Sequence, residues 1–165
     1  MAEALFTPLC VRMLEDGHAV RFQAPGSSMH PAIRDGEWVT VEPTRPAFVR
    51  RGDVLLYHSV RGLTAHRVVR VVTEEGTRAR FVFRGDNTGA LDEPVDFGHI
   101  LGRVARVERG RRHFDPASVR AQVASEAWCL IAALKRRVHK LAADSRLLLP
   151  FAKRRQHSAS EGGRS

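Results

Sequence analysis

Two adjacent serines, Ser27 and Ser28, stand between a glycine and a methionine in the segment APGSSMHPAIRDGEWVTV, residues 24–41. A serine hydroxyl becomes a nucleophile when a neighbouring base removes its proton, and nucleophiles are often carried on loops of a rigid scaffold. Serines in turns also serve simply to satisfy backbone groups. The pair alone leaves both interpretations open, so the elements around it matter.

The segments around the serines have the pattern of short strands. Val20 and Phe22 alternate with polar residues before the pair, the run EWVTVE alternates after it, and glycines punctuate the region. Further strand-like runs are DVLLY, AHRVVRVV, ARFVFR and GHILGRVARVE. The pattern predicts a mainly β fold, a small coiled antiparallel β-domain, with the serine pair on a turn between two strands.

Helical patterns flank the β region. Asp115 is expected to cap a helix with Pro116 in its first turn, and an apolar stripe continues at helical spacing to about Leu141. The stripe consists of Val119, Val123, Ala127, Leu130, Ile131, Leu134, Val138 and Leu141. A short N-terminal amphipathic helix is predicted from Ala4 to Glu15. The predicted parts are an N-terminal helix (1–17), a β-domain (18–112), a basic amphipathic helix (113–150) and a disordered basic tail (151–165).

Charge is distributed unevenly along the 165 residues. The formal net charge is +9, and it arises after Gly102, where the net is +10 against −1 before it. Cys10 and Cys129 form no CxxC pair, which fits a reducing compartment, and the absence of HExxH or CxxC spacing predicts no metal or organic cofactor. No apolar run approaches the ~20 residues of a membrane-spanning helix, and no secretory signal is evident. We therefore expect one compact domain with appendages, in the cytoplasm or at the membrane periphery.

Four segments taken together resemble the signature boxes of the signal peptidase I family, whose wider superfamily includes LexA-like autoproteases. They are GSSMHPAIRDGEWVTV, RRGDVLLY, AHRVVRV and FRGDNTGALD, in that order, within about residues 20–107. The resemblance implies a signal peptidase/LexA-like β fold and serine endopeptidase activity. In that family the serine immediately before methionine is the nucleophile, which implies Ser28. Gly52-Asp53 matches the family's hydrophobic box containing Gly-Asp.

Lysine is absent from the predicted β-domain, since the first lysine of the chain is Lys135. Many proteins of the resembled family use lysine as the base, and that mechanism is therefore excluded from the β-domain. The matching position is His66, as in endoplasmic-reticulum-type and some Gram-positive signal peptidases. Histidine has an unperturbed pKa of ~6.5, so much of it is neutral at pH 7 and able to accept a proton. We expect His66 to be the base that activates Ser28.

The resemblance also implies a third member of the site. Asp92 aligns with the aspartate that completes the triad in the His-type branch, whereas Asp86 aligns with the aspartate of the Gly-Asp-Asn box. We expect Asp92 to orient the imidazole and to stabilise the imidazolium. Asp86, and with it Asn87, is expected to brace the loop, as such side chains do in turns.

Two departures from the family pattern affect the expected activity. Gly26 stands where many leader peptidases carry a hydroxyl residue, which leaves the backbone N–H of Ser28, with Ser27, to bind the oxyanion. Loss of one such donor can cost ~10²–10³ in turnover. Met29 is expected to form a wall of the site. The family's transmembrane anchor has no counterpart here, which favours a cytoplasmic precursor or leader-bearing peptide over an exported preprotein as substrate.

The basic C-terminal third has three interpretations. Its helix carries Lys135, Arg136, Arg137 and Lys140 beside the apolar stripe. Packing on the β-domain and binding to an anionic membrane surface are both open, and nucleic-acid binding is disfavoured because no recognition motif is present. Two functions follow: an active Ser/His peptidase, and an inactive peptidase fold that binds membranes or polyanions. The intact Ser28, His66 and acidic box favour the first.

Overall fold

The structure is a computed structural model that describes residues 2–60, 62–73 and 79–147, without the side chains of residues 2–5 and 139–147. Within that part of the chain the helices are α1 (Ala2–Glu15) and α2 (Val119–Leu147). The strands are β1 (Val20–Gln23), β2 (Trp38–Glu42), β3 (Val54–Ser59), β4 (Gly62–Val72), β5 (Arg80–Arg84), β6 (Val95–Asp96), β7 (Ile100–Arg109) and β8 (Arg112–Phe114). Short 3₁₀ turns cover Pro46–Phe48 and Phe97–His99.

The described strands form one antiparallel sheet. Its order is β1-β2-β7-β3-β4-β5-β6, and β8 pairs with β7. The register shifts within the pairs β2–β7, β3–β7 and β4–β5, and such irregularities bend strands and increase their twist. The prediction of a small, mainly antiparallel β-domain with a short N-terminal helix and a C-terminal helix is confirmed.

Strand β3 is buried on both faces, which explains why its sequence is a continuous apolar run. Val54 and Leu56 belong to one core cluster, and Leu55 and Tyr57 belong to another. The first core cluster is Leu14, Val20, Met29, Ile33, Val39, Val41, Val54, Leu56, Val104 and Val107. The second core cluster is Val49, Leu55, Tyr57, Val68, Phe81, Phe83 and Ile100. The candidate site is built on the side of the second cluster.

Helix α2 begins later than the sequence pattern predicts. Asp115 does not cap it; its Oδ1 accepts the N–H of Ala117 at 2.7 Å and its carbonyl accepts the N–H of Ser118 at 3.0 Å, which makes a turn ahead of the helix. Strand β8 extends the sheet to Phe114, so little chain separates sheet and helix. The described part of the helix continues to Leu147, beyond the predicted end near Leu141.

The chain divides into two compact units, Met1–Ala132 and Ala133–Ser165. In the first unit, α2 contacts the β-domain through Ser125, Trp128 and Cys129. The residues of the predicted apolar stripe in that unit that remain exposed are Val119, Val123, Ala127, Leu130 and Ile131. The stripe therefore does not cover the β-domain there. In the second unit, considered by itself, Leu134 and Val138 are exposed. The tail predicted to be disordered, 151–165, lies outside the described residues.

Candidate active site

The candidate nucleophile, Ser28, lies exposed on the loop between β1 and β2. Below it, Met29 and Ile33 are buried in the first core cluster and anchor the loop. Gly26 has a φ of +87°, a left-handed conformation that favours glycine, and its N–H donates to Asp35 Oδ1 at 2.7 Å. The exposed hydroxyl of Ser28 is thus carried on a backbone that is fixed before it by the Gly26–Asp35 hydrogen bond and after it by the burial of Met29 and Ile33.

Arg109 of β7 holds the second half of this loop. Its guanidinium pairs with Glu37 and donates to the carbonyls of Pro31 at 3.0 Å and Ala32 at 3.3 Å. Burial alone would raise the pKa of Glu37, but hydrogen bonds from Arg109 and from the N–H of Arg34, together with their positive charges, outweigh it and lower that pKa. An ionised Glu37 therefore keeps Arg109 in place beneath the nucleophile loop.

His66 reaches Ser28 from β4. The pairing of β3 with β4 puts His66 directly opposite Leu55, and directly opposed residues share a face, so the imidazole lies on the side of the second core cluster. Its Nε2 is 3.2 Å from Ser28 Oγ. Since 8% of His66 is exposed, the imidazole approaches the hydroxyl from the buried side.

Asp92 contacts the other nitrogen of this imidazole. It follows β5 on a loop that is fixed by a hydrogen bond from the N–H of Asp92 to the carbonyl of Phe83 at 2.8 Å. Asp92 Oδ2 is 2.5 Å from His66 Nδ1. An ionised carboxylate only accepts hydrogen bonds, so Nδ1 carries the proton and Nε2 is left able to accept the proton of Ser28.

Gly85 gives the serine and the histidine room to meet. A Cβ at this position would lie 2.7 Å from the carbonyl oxygen of Ser28 and 2.9 Å from His66 Nε2. Both distances are shorter than real contacts of that kind, so any side chain would separate the two residues. The sequence marks Gly85 only as part of the Gly-Asp-Asn box, and its steric role becomes visible in the structure.

Asp86 lies apart from the serine and the histidine, in a buried ion pair with Arg67. The guanidinium donates through Nε to Oδ1 at 2.8 Å and through a terminal nitrogen to Oδ2 at 2.7 Å. Ser125 of α2 adds a hydrogen bond to Oδ2 at 2.6 Å. Arg67 also donates to the carbonyls of Gly52, at 2.7 Å, and Pro116, at 2.8 Å. This network joins the loop after β5 to the start of β3 and to the segment leading into α2.

Asn87 links the loop after β5 to the nucleophile loop. Its N–H donates to the carbonyl of Ser28 at 2.8 Å, and its Oδ1 accepts the indole N–H of Trp128 at 3.0 Å. Ser27 is exposed, and its carbonyl accepts the N–H of His30 at 3.1 Å. The structure therefore brings together Ser28, His66 and Asp92. Ser27 and Met29 adjoin the serine in the chain and Asn87 binds its carbonyl, whereas Asp86 is paired with Arg67 apart from the three.

Tyr57, which the sequence patterns did not indicate as a site residue, donates its hydroxyl proton to Asp92 Oδ2 at 2.8 Å. Burial raises the pKa of the phenol, and so do the hydrogen bond to Asp92 and the charge of that carboxylate. Tyr57 therefore keeps its proton and donates. It is the only tyrosine of the chain and the last residue of the apolar run DVLLY. A polar hydroxyl in a buried run needs a hydrogen-bond partner, and this was the signal in the sequence that could have identified it.

No group of three or more His, Cys, Asp or Glu side chains is arranged to hold a metal ion within residues 2–60, 62–73 and 79–147. In the same part of the chain, no helix is long and apolar enough to cross a membrane. In the second unit, Lys135, Arg136 and Arg137 are exposed, and the side chain of Lys140 lies outside the described side chains.

Comparison of the chain with protein-family models, with curated proteins and with solved structures found no match.

Proposed function

We propose that this chain is a serine endopeptidase similar to signal peptidase I, which cleaves a precursor or leader-bearing polypeptide. The observation that carries the proposal is the unbroken series of contacts from Asp92 Oδ2 through both nitrogens of His66 to Ser28 Oγ. The weak nucleophile and the orienting carboxylate are each within hydrogen-bond reach of the base between them.

The proposed reaction begins when Ser28 Oγ attacks the carbonyl carbon of the scissile peptide bond. His66 Nε2 takes the hydroxyl proton, and Asp92 stabilises the resulting imidazolium. His66 then gives this proton to the leaving amine, the C–N bond breaks, and an acyl-enzyme remains on Ser28. Water attacks the ester while His66 accepts its proton. The acyl group leaves as a carboxylic acid, and the proton returns to Ser28 Oγ.

The surroundings of Ser28 favour a large substrate and moderate turnover. Because Ser28 is exposed on a loop, an extended polypeptide can reach its hydroxyl. Gly26 supplies no side-chain donor to the oxyanion, and its own N–H is engaged by Asp35. The backbone N–H of Ser28 is left as the main candidate donor, and a site with one donor fewer is expected to turn over ~10²–10³ times more slowly.

The test compares protein N-termini in cells that have and lack this gene. We expect at least one precursor to accumulate uncleaved in the deleted cells, and to be processed again when the wild-type chain is restored. Ser28→Ala and His66→Ala should each fail to restore cleavage, because both residues are needed for the same step. Ser118→Ala, which removes an exposed hydroxyl ahead of α2, serves as the matched control. Cleavage restored by Ser28→Ala would refute the proposal.

A second function is favoured by the exposed stripe on α2. We propose that this helix binds the surface of an anionic membrane. In the first unit Val119, Val123 and Leu130 are 76%, 63% and 72% exposed, and the opposite side of the helix contacts the β-domain. Helix α2 carries six Lys/Arg and two Asp/Glu, a net charge of +4, which complements anionic lipids and opposes pairing of two such helices.

Sedimentation with vesicles tests this attachment. The full chain should pellet with vesicles containing phosphatidylglycerol, less with vesicles of phosphatidylcholine alone, and less as salt rises. Val123→Glu should weaken the binding, whereas Val60→Glu, at a fully exposed valine in the turn between β3 and β4, should not. Equal pelleting by both vesicle types, or a stable dimer that Val123→Glu dissociates, would overturn the membrane proposal.

A further inference from the structure

Tyr57 shares one oxygen atom of Asp92 with His66. Its hydroxyl is 2.8 Å from Asp92 Oδ2, and His66 Nδ1 is 2.5 Å from the same atom. Tyr57 is 1% exposed, and its ring stacks on Phe83 with centroids 4.3 Å apart and planes 11° apart. The phenol is thus a donor at a position fixed by the second core cluster.

The carboxylate of Asp92 is held less firmly by its surroundings than the side chains of His66 and Tyr57 are. It lies on a loop, its side chain is 32% exposed, and water can compete for its oxygens. A carboxylate free to turn about its last torsion would exchange its contact with His66 for solvent. Tyr57 binds Oδ2 itself, the oxygen that faces the imidazole, and a buried aromatic ring loses little further freedom in doing so.

We propose that Tyr57 is a positioning residue that holds Asp92 Oδ2 against His66 Nδ1. The inference rests on the proposed peptidase function for its effect on turnover, and on the contacts alone for its effect on the imidazole. The hydroxyl of Tyr57 bonds Asp92 and acts on the reaction through it, while the Tyr57 ring also meets the imidazole edge-on, a contact that phenylalanine would keep.

The first test is Tyr57→Phe in the full chain. Hydrogen bonds to charged groups are worth enough that we expect kcat to fall by about 10- to 100-fold, with KM unchanged. Thr64→Val is the matched control, because Thr64 pairs with Tyr57 across β3 and β4 and its hydroxyl bonds Ser59 instead. An unchanged kcat in Tyr57→Phe would overturn the inference, as would an equal fall in the control.

A second measurement needs no substrate. The proton on His66 Nδ1, held in a short bond to a carboxylate, should give a low-field NMR signal that His66→Gln removes. In Tyr57→Phe this signal should broaden through exchange with water, and in Thr64→Val it should stay. A signal unchanged by Tyr57→Phe refutes the positioning role. A wild-type chain that shows the expected signals and cleaves nothing refutes the peptidase proposal instead.

A third measurement keeps the inference testable if Tyr57→Phe does not fold. Since Tyr57 is the only tyrosine, growth with 3-fluorotyrosine labels it alone. Asp92→Asn should move the fluorine resonance, because the carboxylate faces the phenol, whereas Asp96→Asn, at an exposed aspartate, should not. Identical spectra for Asp92→Asn and the wild type would overturn the inference.

Discussion

Asp86 and Asp92 both follow strand β5, six residues apart, but the two carboxylates differ in their exposure and in their hydrogen-bond partners. The side chain of Asp86 is 1% exposed and accepts hydrogen bonds from Nε and one terminal nitrogen of Arg67 and from the Ser125 hydroxyl. The side chain of Asp92 is 32% exposed and bound to His66 and Tyr57. The partner of Asp86 is a guanidinium, which is always charged, whereas Asp92 contacts an imidazole and a phenol.

The two pairings follow from one dipeptide, His66-Arg67. Successive side chains of a strand point to opposite faces, so the imidazole and the guanidinium are directed to opposite sides of β4. His66 meets Asp92 and Ser28 on the side of the second core cluster, while Arg67 meets Asp86 and the segment before α2. We infer that Asp92 serves the reaction and that Asp86 serves stability.

We expect the largest difference between substitutions of Asp92 and Asp86 to be in turnover. Asp92→Asn should cut kcat by as much as ~10⁴, because an amide no longer fixes the proton on His66 Nδ1 or stabilises the imidazolium. The free energy of unfolding should change little, since the side chain is partly exposed. Steady-state kinetics on the substrate identified from N-termini, with urea unfolding of the same sample, would measure both. An unchanged kcat in Asp92→Asn would contradict the catalytic role inferred for Asp92.

The next effect is on stability. Asp86→Asn should lower the free energy of unfolding by about 3–5 kcal/mol, since it leaves the charge of Arg67 buried without a counterion. Asp96→Asn is the matched control, because its ion pair with Arg80 is about half exposed and should be worth less than about 1 kcal/mol. Urea unfolding of both variants measures the difference. Well below the midpoint of thermal unfolding, Asp86→Asn should retain most of its turnover; loss of turnover in a fully folded sample would contradict this.

Much of the sheet could be predicted from the sequence, because the strands repeat apolar residues with a period of two. The run DVLLY was predicted as a strand, and the structure gives the reason for its unbroken apolar character, since Val54 and Leu55 are buried on opposite faces. The placement of Ser28 on a turn also followed from the pattern. The grouping of Ser28, His66 and Asp92 was expected from the family resemblance and not from spacing.

The contacts between elements could not be predicted, because they depend on register and on the packing of distant segments. Tyr57 reaches Asp92 because β3 pairs with β4 in one particular register. The apolar stripe of α2 is the face that a hydrophobic pattern would pack against the sheet. In the structure the opposite face, with Ser125 and Trp128, contacts the β-domain. Polar side chains matched to Asp86 and Asn87 decided that orientation, and a hydrophobic pattern does not contain such matches.

The exposure of a third carboxylate, that of Glu37, lies between those of the two aspartates. We expect its substitution to have a smaller effect on the free energy of unfolding than Asp86→Asn has. Its side chain is 11% exposed, and the pair with Arg109 lowers its pKa against the opposing effect of burial. A carboxyl whose pKa is lowered by folding contributes stability above its unfolded pKa, ~4.3, and loses that contribution as pH falls through the folded value. Glu37→Gln should therefore cost about 1 kcal/mol at pH 7, and the difference from the wild type should shrink below about pH 4.

Urea unfolding from pH 7 to pH 3 measures this dependence, with Glu108→Gln as the matched control. Glu108 pairs with Arg21 at the surface, where solvent screens the charges, so its variant should differ less from the wild type at every pH. Because Arg109 also holds the carbonyls of Pro31 and Ala32, Glu37→Gln should loosen the loop that carries Ser28 and lower kcat by less than Asp92→Asn does. A cost that stays constant between pH 7 and pH 3 would show that the charge of Glu37 is not what holds Arg109.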